Sequence, residues 1–261
     1  MNLLLDIGNS RVKWALAHND MLVETGAVRR EGSPRWTDSL PSDSVDALFV
    51  ASVAHDSAIE ALAMHARALG VGLHVVRTSA HFGDLVNGYR EPLRLGVDRW
   101  MACIGARARA PNQSTLVADV GTALTLDWID ADGAHGGGLI TPGLASMRAA
   151  LRATTQLRPD SQPATDTWLA QDTDTAIAAG TLRSVIALLD GAAVDLAPQR
   201  LLITGGEAHW VVERLASRWE FCPQLVIEGV ALQAMHEQQS SLPNEHNQTG
   251  RGSQQASKPS E

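Results

Sequence analysis

Two short strings, far apart in the chain, share one pattern: an apolar strand signal, an Asp, an apolar residue, a Gly, then a second strand signal. The first is Asp6, Ile7, Gly8, Asn9 and Ser10, entered through Leu3, Leu4 and Leu5 and left through Val12, Lys13, Trp14, Ala15 and Leu16. The second is Asp119, Val120, Gly121, Thr122 and Ala123, entered through Leu116, Val117 and Ala118 and left through residues 124–129. An Asp at a strand end with Gly close behind makes a tight hairpin. Glycine has no Cβ, so backbone N–H groups can approach an anion closely, and the Asp beside it can hold a cation. Phosphate and cation arrive together in a nucleoside triphosphate. One copy alone would be an ordinary turn. Two copies in the same context point to a duplicated domain with a nucleotide held between the halves.

The order of the remaining signals supports duplication. Strands are predicted over 2–6, 12–17, 22–28 and 47–52, a helix over 56–69, a strand over 73–76 and a helix over 98–110. Ile59, Leu62, Ala63, Ala66 and Leu69 fall at helical spacing in the first of these helices. The second half repeats the scheme, with strands over 115–118, 123–129 and 135–140 and helices over 144–152 and 175–196. A strand over 200–204, a helix over 208–218, a short strand over 225–227 and a helix over 230–239 complete it. Three strands followed by alternating helices and strands, given twice, is an α/β architecture. The pattern resembles the actin, hexokinase and sugar-kinase superfamily, whose halves are ribonuclease H-like. The expected division is residues 1–112 and 113–239. Residues 240–261 are rich in Ser, Gln, Asn, Gly and Pro. Such a segment cannot bury enough surface to offset chain entropy, so it is expected to be a disordered tail without a chemical role.

Composition excludes several classes. The chain of 261 residues is 44% hydrophobic, ample for a core, and carries a net charge of −8. No run of Lys and Arg is present, which argues against nucleic acid as a partner. The apolar runs fall short of the ~20 residues that span a bilayer, and Asp6 interrupts the first too early for a signal peptide. A cytoplasmic protein with no membrane partner is the expectation. Cys103 and Cys222 lack metal-ligand spacing. Neither GxxxxGK[ST] nor GxGxxG occurs, so phosphate must be held by other means.

The two hairpins supply those means. Asp6 is placed to hold Mg²⁺, directly or through water. Gly8, Asn9 and Ser10 offer donors, Thr122 is the counterpart of Asn9, and Lys13 either reaches a phosphate or is a solvated strand lysine. Asp119 matches Asp6 or is a structural turn residue. A further segment runs Gly88, Tyr89, Arg90, Glu91, Pro92, Leu93, Arg94, Leu95, Gly96, Val97, Asp98, Arg99. Asp98 at a helix start is most plainly a cap; its functional reading is a general base for an attacking hydroxyl. Arg99 could bind a substrate carboxylate. Tyr89, the single tyrosine, lies in a loop and suits a pocket wall. Gly136, Gly137 and Gly138 let backbone pass close to a strand or a ligand. Asp172, Thr173, Asp174 and Thr175 contain a helix cap, and Gly205 and Gly206 make a strand-to-helix turn.

Together these strings resemble the type III pantothenate kinases, the family that includes the so-called Bvg accessory factors. The match comprises Asp-Ile-Gly-Asn-Ser at 6–10, Tyr89, Leu-Gly-Val-Asp-Arg at 95–99, Asp-Val-Gly-Thr-Ala at 119–123, Gly-Gly-Leu-Ile-Thr-Pro-Gly-Leu at 137–144, Thr173 before Ala176, and Gly205-Gly206. It runs to about residue 235; Ser10 stands where the family usually has Thr. The resemblance implies ATP-dependent phosphorylation of pantothenate at its terminal hydroxyl, the first step towards coenzyme A, by an actin-like homodimer. It implies Asp98 as general base, and pantothenate contacts from Tyr89, Gly96, Val97, Asp98, Arg99 and, from the other subunit, Thr173. ATP contacts fall on Asp6, Ile7, Gly8, Asn9, Ser10, Arg11, Val12, Lys13 and Thr122. Asp119 would hold a monovalent cation, K⁺ or NH₄⁺, alongside Mg²⁺. Two alternatives stand beside this reading: a non-catalytic regulatory protein on the same fold, which loss of Asp6 or Asp98 would have favoured, and a phosphatase, against which Tyr89 and Arg99 argue.

Overall fold

The computed structural model describes residues 1–8, 11–29, 36–52, 56–155 and 167–240. Asn9 and Ser10 lie outside them, as does the tail beyond Ser240. The first string folds back on itself as a hairpin. β1 (Asn2–Ile7) pairs antiparallel with β2 (Arg11–His18), setting Asp6 opposite Lys13 and Ile7 opposite Val12. β3 (Met21–Arg29) continues the meander, while β4 (Ala47–Ser52) lies parallel on the other side of β1 and β5 (Gly72–Val75) beyond it. The order is β3-β2-β1-β4-β5.

A short hairpin of β6 (His81–Phe82) and β7 (Leu85–Val86) precedes the second half. There β8 (Thr115–Val120), β9 (Ala123–Ile129), β10 (His135–Pro142), β11 (Arg200–Thr204) and β12 (Glu220–Phe221) form a sheet in the order β10-β9-β8-β11-β12. The two orders are the same, which is the duplication read from the strings.

Alternation decides the layers. In β1, Leu3, Leu5 and Ile7 face outward onto α1 (Asp56–Leu69) and bury with Leu62 and Ala66, while Leu4 faces the interior between the sheets. That interior holds α2 (Val97–Arg109) and α5 (Leu225–Ser240), packed with Phe49, Val117, Ile129 and Leu202 from both sheets. The helices cross closely: a Cβ on Gly229 would stand 1.9 Å from the Met101 carbonyl oxygen. α3 (Leu144–Thr154) and α4 (Thr173–Leu196) cover the outer face of the second sheet, where Leu182, Val185 and Leu189 bury against Leu116, Ala118 and Leu126. By length and composition α4 alone among the described helices could cross a membrane; these buried residues belong to the outer core.

Three expectations are corrected. Residues 225–227 are not a strand but the first turn of α5. Leu225, Val226 and Ile227 are all buried because that turn lies between the two sheets, and a helix buried on every side has no period to distinguish it from a buried strand. The edge strand is Glu220–Phe221 instead. The helix expected over 208–218 is two 3₁₀ turns, Ala208–Trp210 and Val212–Arg214. Asp190 of α4 accepts from the backbone N–H groups of Ala216 and Ser217, which pulls the chain off any helical path and back towards β12. Finally, α2 begins at Val97 with Gly96 as its cap, so Asp98 is not the cap.

Candidate active site

Asp98 stands in the first turn of α2, half-buried, with Oδ1 accepting the Arg99 backbone N–H at 2.8 Å. Gly96 makes room for it: a Cβ there would lie 2.7 Å from Asp98 Oδ1. Burial raises the Asp98 carboxyl above its ordinary value, opposed by the Arg99 N–H and guanidinium. A carboxylate that is costly to ionise is a better proton acceptor than a solvated one.

The two hairpins bring further carboxylates to this place. Asp6 and Asp119 occupy matching ends of β1 and β8. Burial pushes Asp6 up to about 7, with Lys13 opposing and Asp119 and Asp98 adding to the rise. Asp119 is pushed up to about 6 by burial, again opposed by Lys13 and reinforced by Asp98. Lys13 is thus the shared counter-charge of both hairpins; its Nζ donates to the Pro223 carbonyl at 3.4 Å. Two confined carboxylates with one shared lysine form a hard-oxygen donor set suited to a cation. Asp6 and Asp119 each offer hard oxygens of the type that a divalent or a monovalent cation takes.

Beside Asp98 opens a cleft of about 720 Å³. Its walls include Tyr89, Gly96, Asp98 and Arg99 from the first half and Ala123, Thr125 and Ile140 from the second. Arg90 and Arg94 also line it. Sequence reasoning passed over these two arginines because exposed loop cations carry no pattern.

Arg99 departs from expectation. Its side chain is buried, and its guanidinium is bidentate with Asp127 of β9, Nε to Oδ2 at 2.8 Å and Nη2 to Oδ1 at 2.6 Å. Nη1 donates to the Tyr89 hydroxyl at 2.7 Å. Three of its five N–H groups are therefore spent inside the protein. Ligand atoms of Cys103, Asp127 and His135 lie within 4.8 Å of one another, but the guanidinium already supplies the positive charge that a metal would bring. The Cys103 thiol is pushed well up by burial and is inert by that measure.

Other predicted positions divide. Ile7 and Val12 are wholly buried in the outer core, so their side chains cannot meet a nucleotide. The Gly8 N–H closes its own hairpin onto the Arg11 carbonyl at 3.0 Å, and Gly121 does the same with Ala123. The Gly8 amide was expected to offer a donor to phosphate; hairpin closure uses it. Arg11 and Thr122 are exposed, and the Thr122 carbonyl accepts from Gly143 N–H and Ser146 Oγ at the start of α3. Val97 is half-buried against the central core. Thr173, the first residue of α4, is exposed and is not part of the cleft wall of its own chain. Asp172 caps that helix through Thr175 N–H at 2.9 Å. Two glycines of β10 serve close packing: a Cβ on Gly138 would lie 1.9 Å from the Leu126 carbonyl oxygen and one on Gly136 2.7 Å from the Trp128 ring, whereas Gly137 has a φ of +99° at a shift in the strand register.

A duplicated α/β fold with an acidic hairpin in each half, and a carboxylate at the end of an interior helix, is the architecture of the actin-like ATPase fold. Comparison of solved structures agrees on the fold. A Baf family transcriptional activator from Campylobacter jejuni aligns with a TM-score of 0.60 at 21% identity, over 92% of this chain and 100% of that one. The activator of 2-hydroxyisocaproyl-CoA dehydratase from Clostridium difficile, with bound ADPNP, aligns with a TM-score of 0.50 at 12% identity, over 93% and 98%. A family model described as type III pantothenate kinase matches residues 2–195. Type III pantothenate kinases from Halorhodospira halophila and Burkholderia mallei are 38% and 39% identical, covering 91% and 89% of this chain and 99% and 98% of their own lengths. The chain belongs to the type III pantothenate kinase family.

Proposed function

We propose that this chain moves the γ-phosphoryl group of ATP to the terminal hydroxyl of pantothenate, giving 4′-phosphopantothenate and ADP. The observation that carries the reading is Asp98: a half-buried carboxylate at the rim of a cleft, on an interior helix end, next to the paired hairpins. Phosphoryl transfer requires positioning and charge neutralisation more than covalent help. The pantothenate hydroxyl hydrogen-bonds to Asp98, which orients it for in-line attack. Asp98 takes its proton as the O–P bond forms and the bond to ADP breaks. Lys13 offers its charge to the triphosphate. Asp6 is the residue to hold Mg²⁺, which neutralises phosphate charge when bound, and Asp119 is the residue for a monovalent cation, K⁺ or NH₄⁺. Tyr89 offers its hydroxyl to the acceptor, while Arg90 and Arg94 supply positive charge for its carboxylate. Arg99 supports the site mainly through Tyr89, since most of its fork faces inward. A purely regulatory role gains nothing from the structure, because Asp6 and Asp98 are both present and both are raised by burial.

Assembly as a homodimer fits the outer face of the second half. Trp168 is 76% exposed, Leu169 88% and Val194 74%. An apolar groove of about 470 Å³ runs between α4 and β9–β10, lined by Trp128, Leu139, Leu188 and Leu196 among others. A second copy covering this face would also explain an exposed Thr173 directed to the partner's cleft.

The test is ADP release from ATP and Mg²⁺ with and without pantothenate, across K⁺, NH₄⁺ and Na⁺. Pantothenate-dependent release is expected; release that ignores pantothenate under every cation refutes the reading. Mixing Asp98→Asn with Thr173→Ala tests the shared site. Partial recovery of activity is expected if subunits exchange; a fully active monomer, or no recovery despite proven exchange and a severe Thr173→Ala defect, would mean that each chain builds its site alone.

A further inference from the structure

Behind the cleft lies a set of buried polar side chains that takes no part in the transfer step. Asp127 sits in β9, only 2% exposed. It accepts from Arg99 Nε at 2.8 Å, from Arg99 Nη2 at 2.6 Å and from His135 Nε2 at 2.8 Å. A carboxylate engaged in this way has only acceptors. His135 must therefore donate through Nε2. Its Nδ1 is buried without a hydrogen-bond partner among the described residues.

Polarity then propagates. A guanidinium has only donors, so at 2.7 Å from Arg99 Nη1 the Tyr89 hydroxyl must accept. Its own proton is thereby turned away from Arg99 and left to donate into the cleft. The Tyr89 ring is held as well, stacked on His135 with centroids 5.9 Å apart and planes at 28°. Backbone closes over the set: a Cβ on Gly138 would lie 2.6 Å from Arg99 Nη2, and one on Gly88 1.7 Å from the His135 carbonyl oxygen.

From this chain of donors and acceptors we infer that Asp127, braced by His135, is a positioning residue for the acceptor substrate, fixing through Arg99 both the place and the hydrogen-bond polarity of Tyr89. The cleft then presents an O–H donor, matched to a carbonyl or carboxylate oxygen of the substrate. The inference rests on the cleft being the pantothenate site.

Steady-state kinetics of Asp127→Asn, Tyr89→Phe and the double variant test it. Asp127→Asn is expected to lower kcat/KM for pantothenate roughly 10- to 150-fold, the range for a hydrogen bond to a charged group, with KM for ATP unchanged. Tyr89→Phe should add little in the Asp127→Asn background, because the oriented hydroxyl is already lost. Penalties that multiply, or a parallel rise in KM for ATP, would overturn the positioning role and leave the kinase reading intact. Wild-type protein without pantothenate-dependent ADP release would overturn both. Should Asp127→Asn not fold, His135 decides. His135→Leu removes the donor to Asp127 and should selectively weaken pantothenate, while His135→Gln keeps an N–H donor and should restore it. Equal behaviour of those two variants overturns the inference.

Discussion

The two interior helices, α2 and α5, follow the last strands of their sheets and cross between them, yet their first turns have opposite characters. The first turn of α2 carries Gly96, Val97, Asp98 and Arg99 and opens on the cleft. The first turn of α5 carries Leu225, Val226 and Ile227, all buried in the central core. The hairpins differ in the same way. β2 sets Lys13 opposite Asp6, whereas β9 sets the neutral Thr125 opposite Asp119. Duplication supplied the frame, and chemistry lies where the copies differ. One half carries Asp98 and Lys13, the residues proposed as base and phosphate contact. The other offers Asp127 and His135, which hold the first half's Arg99 and Tyr89 in place.

Asp98→Asn should break the comparison most severely. Loss of a general base is worth about 10²- to 10⁴-fold in kcat, with melting temperature and ATP binding retained because Gly96 is the cap. Near-normal turnover would make the α2 turn as structural as its α5 counterpart. The sign of the pH dependence follows from the raised carboxyl of Asp98. The ionised form is the base, so wild-type kcat should fall on acidification through a pKa above the usual carboxylate range. Protonation of Asp6 and Asp119, held at about 7 and about 6 by burial, adds an acid limb of its own, so Asp98→Asn should keep that limb and lose only the component set by Asp98.

Ile227→Ala probes the other turn. A buried Ile truncated to Ala costs about 2–5 kcal/mol, measured by denaturant unfolding, and KM for both substrates should stay put in the folded fraction. A selective rise in one KM would show that the α5 turn reaches the site. Lys13→Thr gives the first hairpin the residue type of the second. A charged hydrogen bond to phosphate is worth about 1.5–3 kcal/mol, so kcat/KM for ATP should drop by roughly 10- to 150-fold, with the pantothenate KM little changed. Wild-type behaviour would mean the hairpins are interchangeable at that register. The smallest effect is expected from removing residues 241–261. Melting temperature and activity should stay within error, and a clear drop in either would give the tail a place on one half.

The sequence by itself determined the repeated frame. Strand, Asp, Gly and returning strand are local signals. Each hairpin closes through contacts a few residues apart, so the β1–β2 and β8–β9 pairs and the β9 bounds could be read directly. The helix Asp56–Leu69 was legible for the same reason, since its one apolar face repeats along its own length. Tyr89 and Asp98 were legible as candidates because they stand in a short segment of unusual composition. Tertiary structure decided what each polar group does. Asp127 carries no local signal in its strand, and only its meeting with Arg99, from the other half, makes it part of a buried ion pair beside the cleft. The same contact turns most of the Arg99 fork inward. Burial on every side hid the helical character of 225–227, and hairpin closure uses the amides of Gly8 and Gly121. Partners distant in sequence leave no local periodicity, so their pairing, and the pKa shifts that burial brings, emerge only once the two sheets enclose α2 and α5.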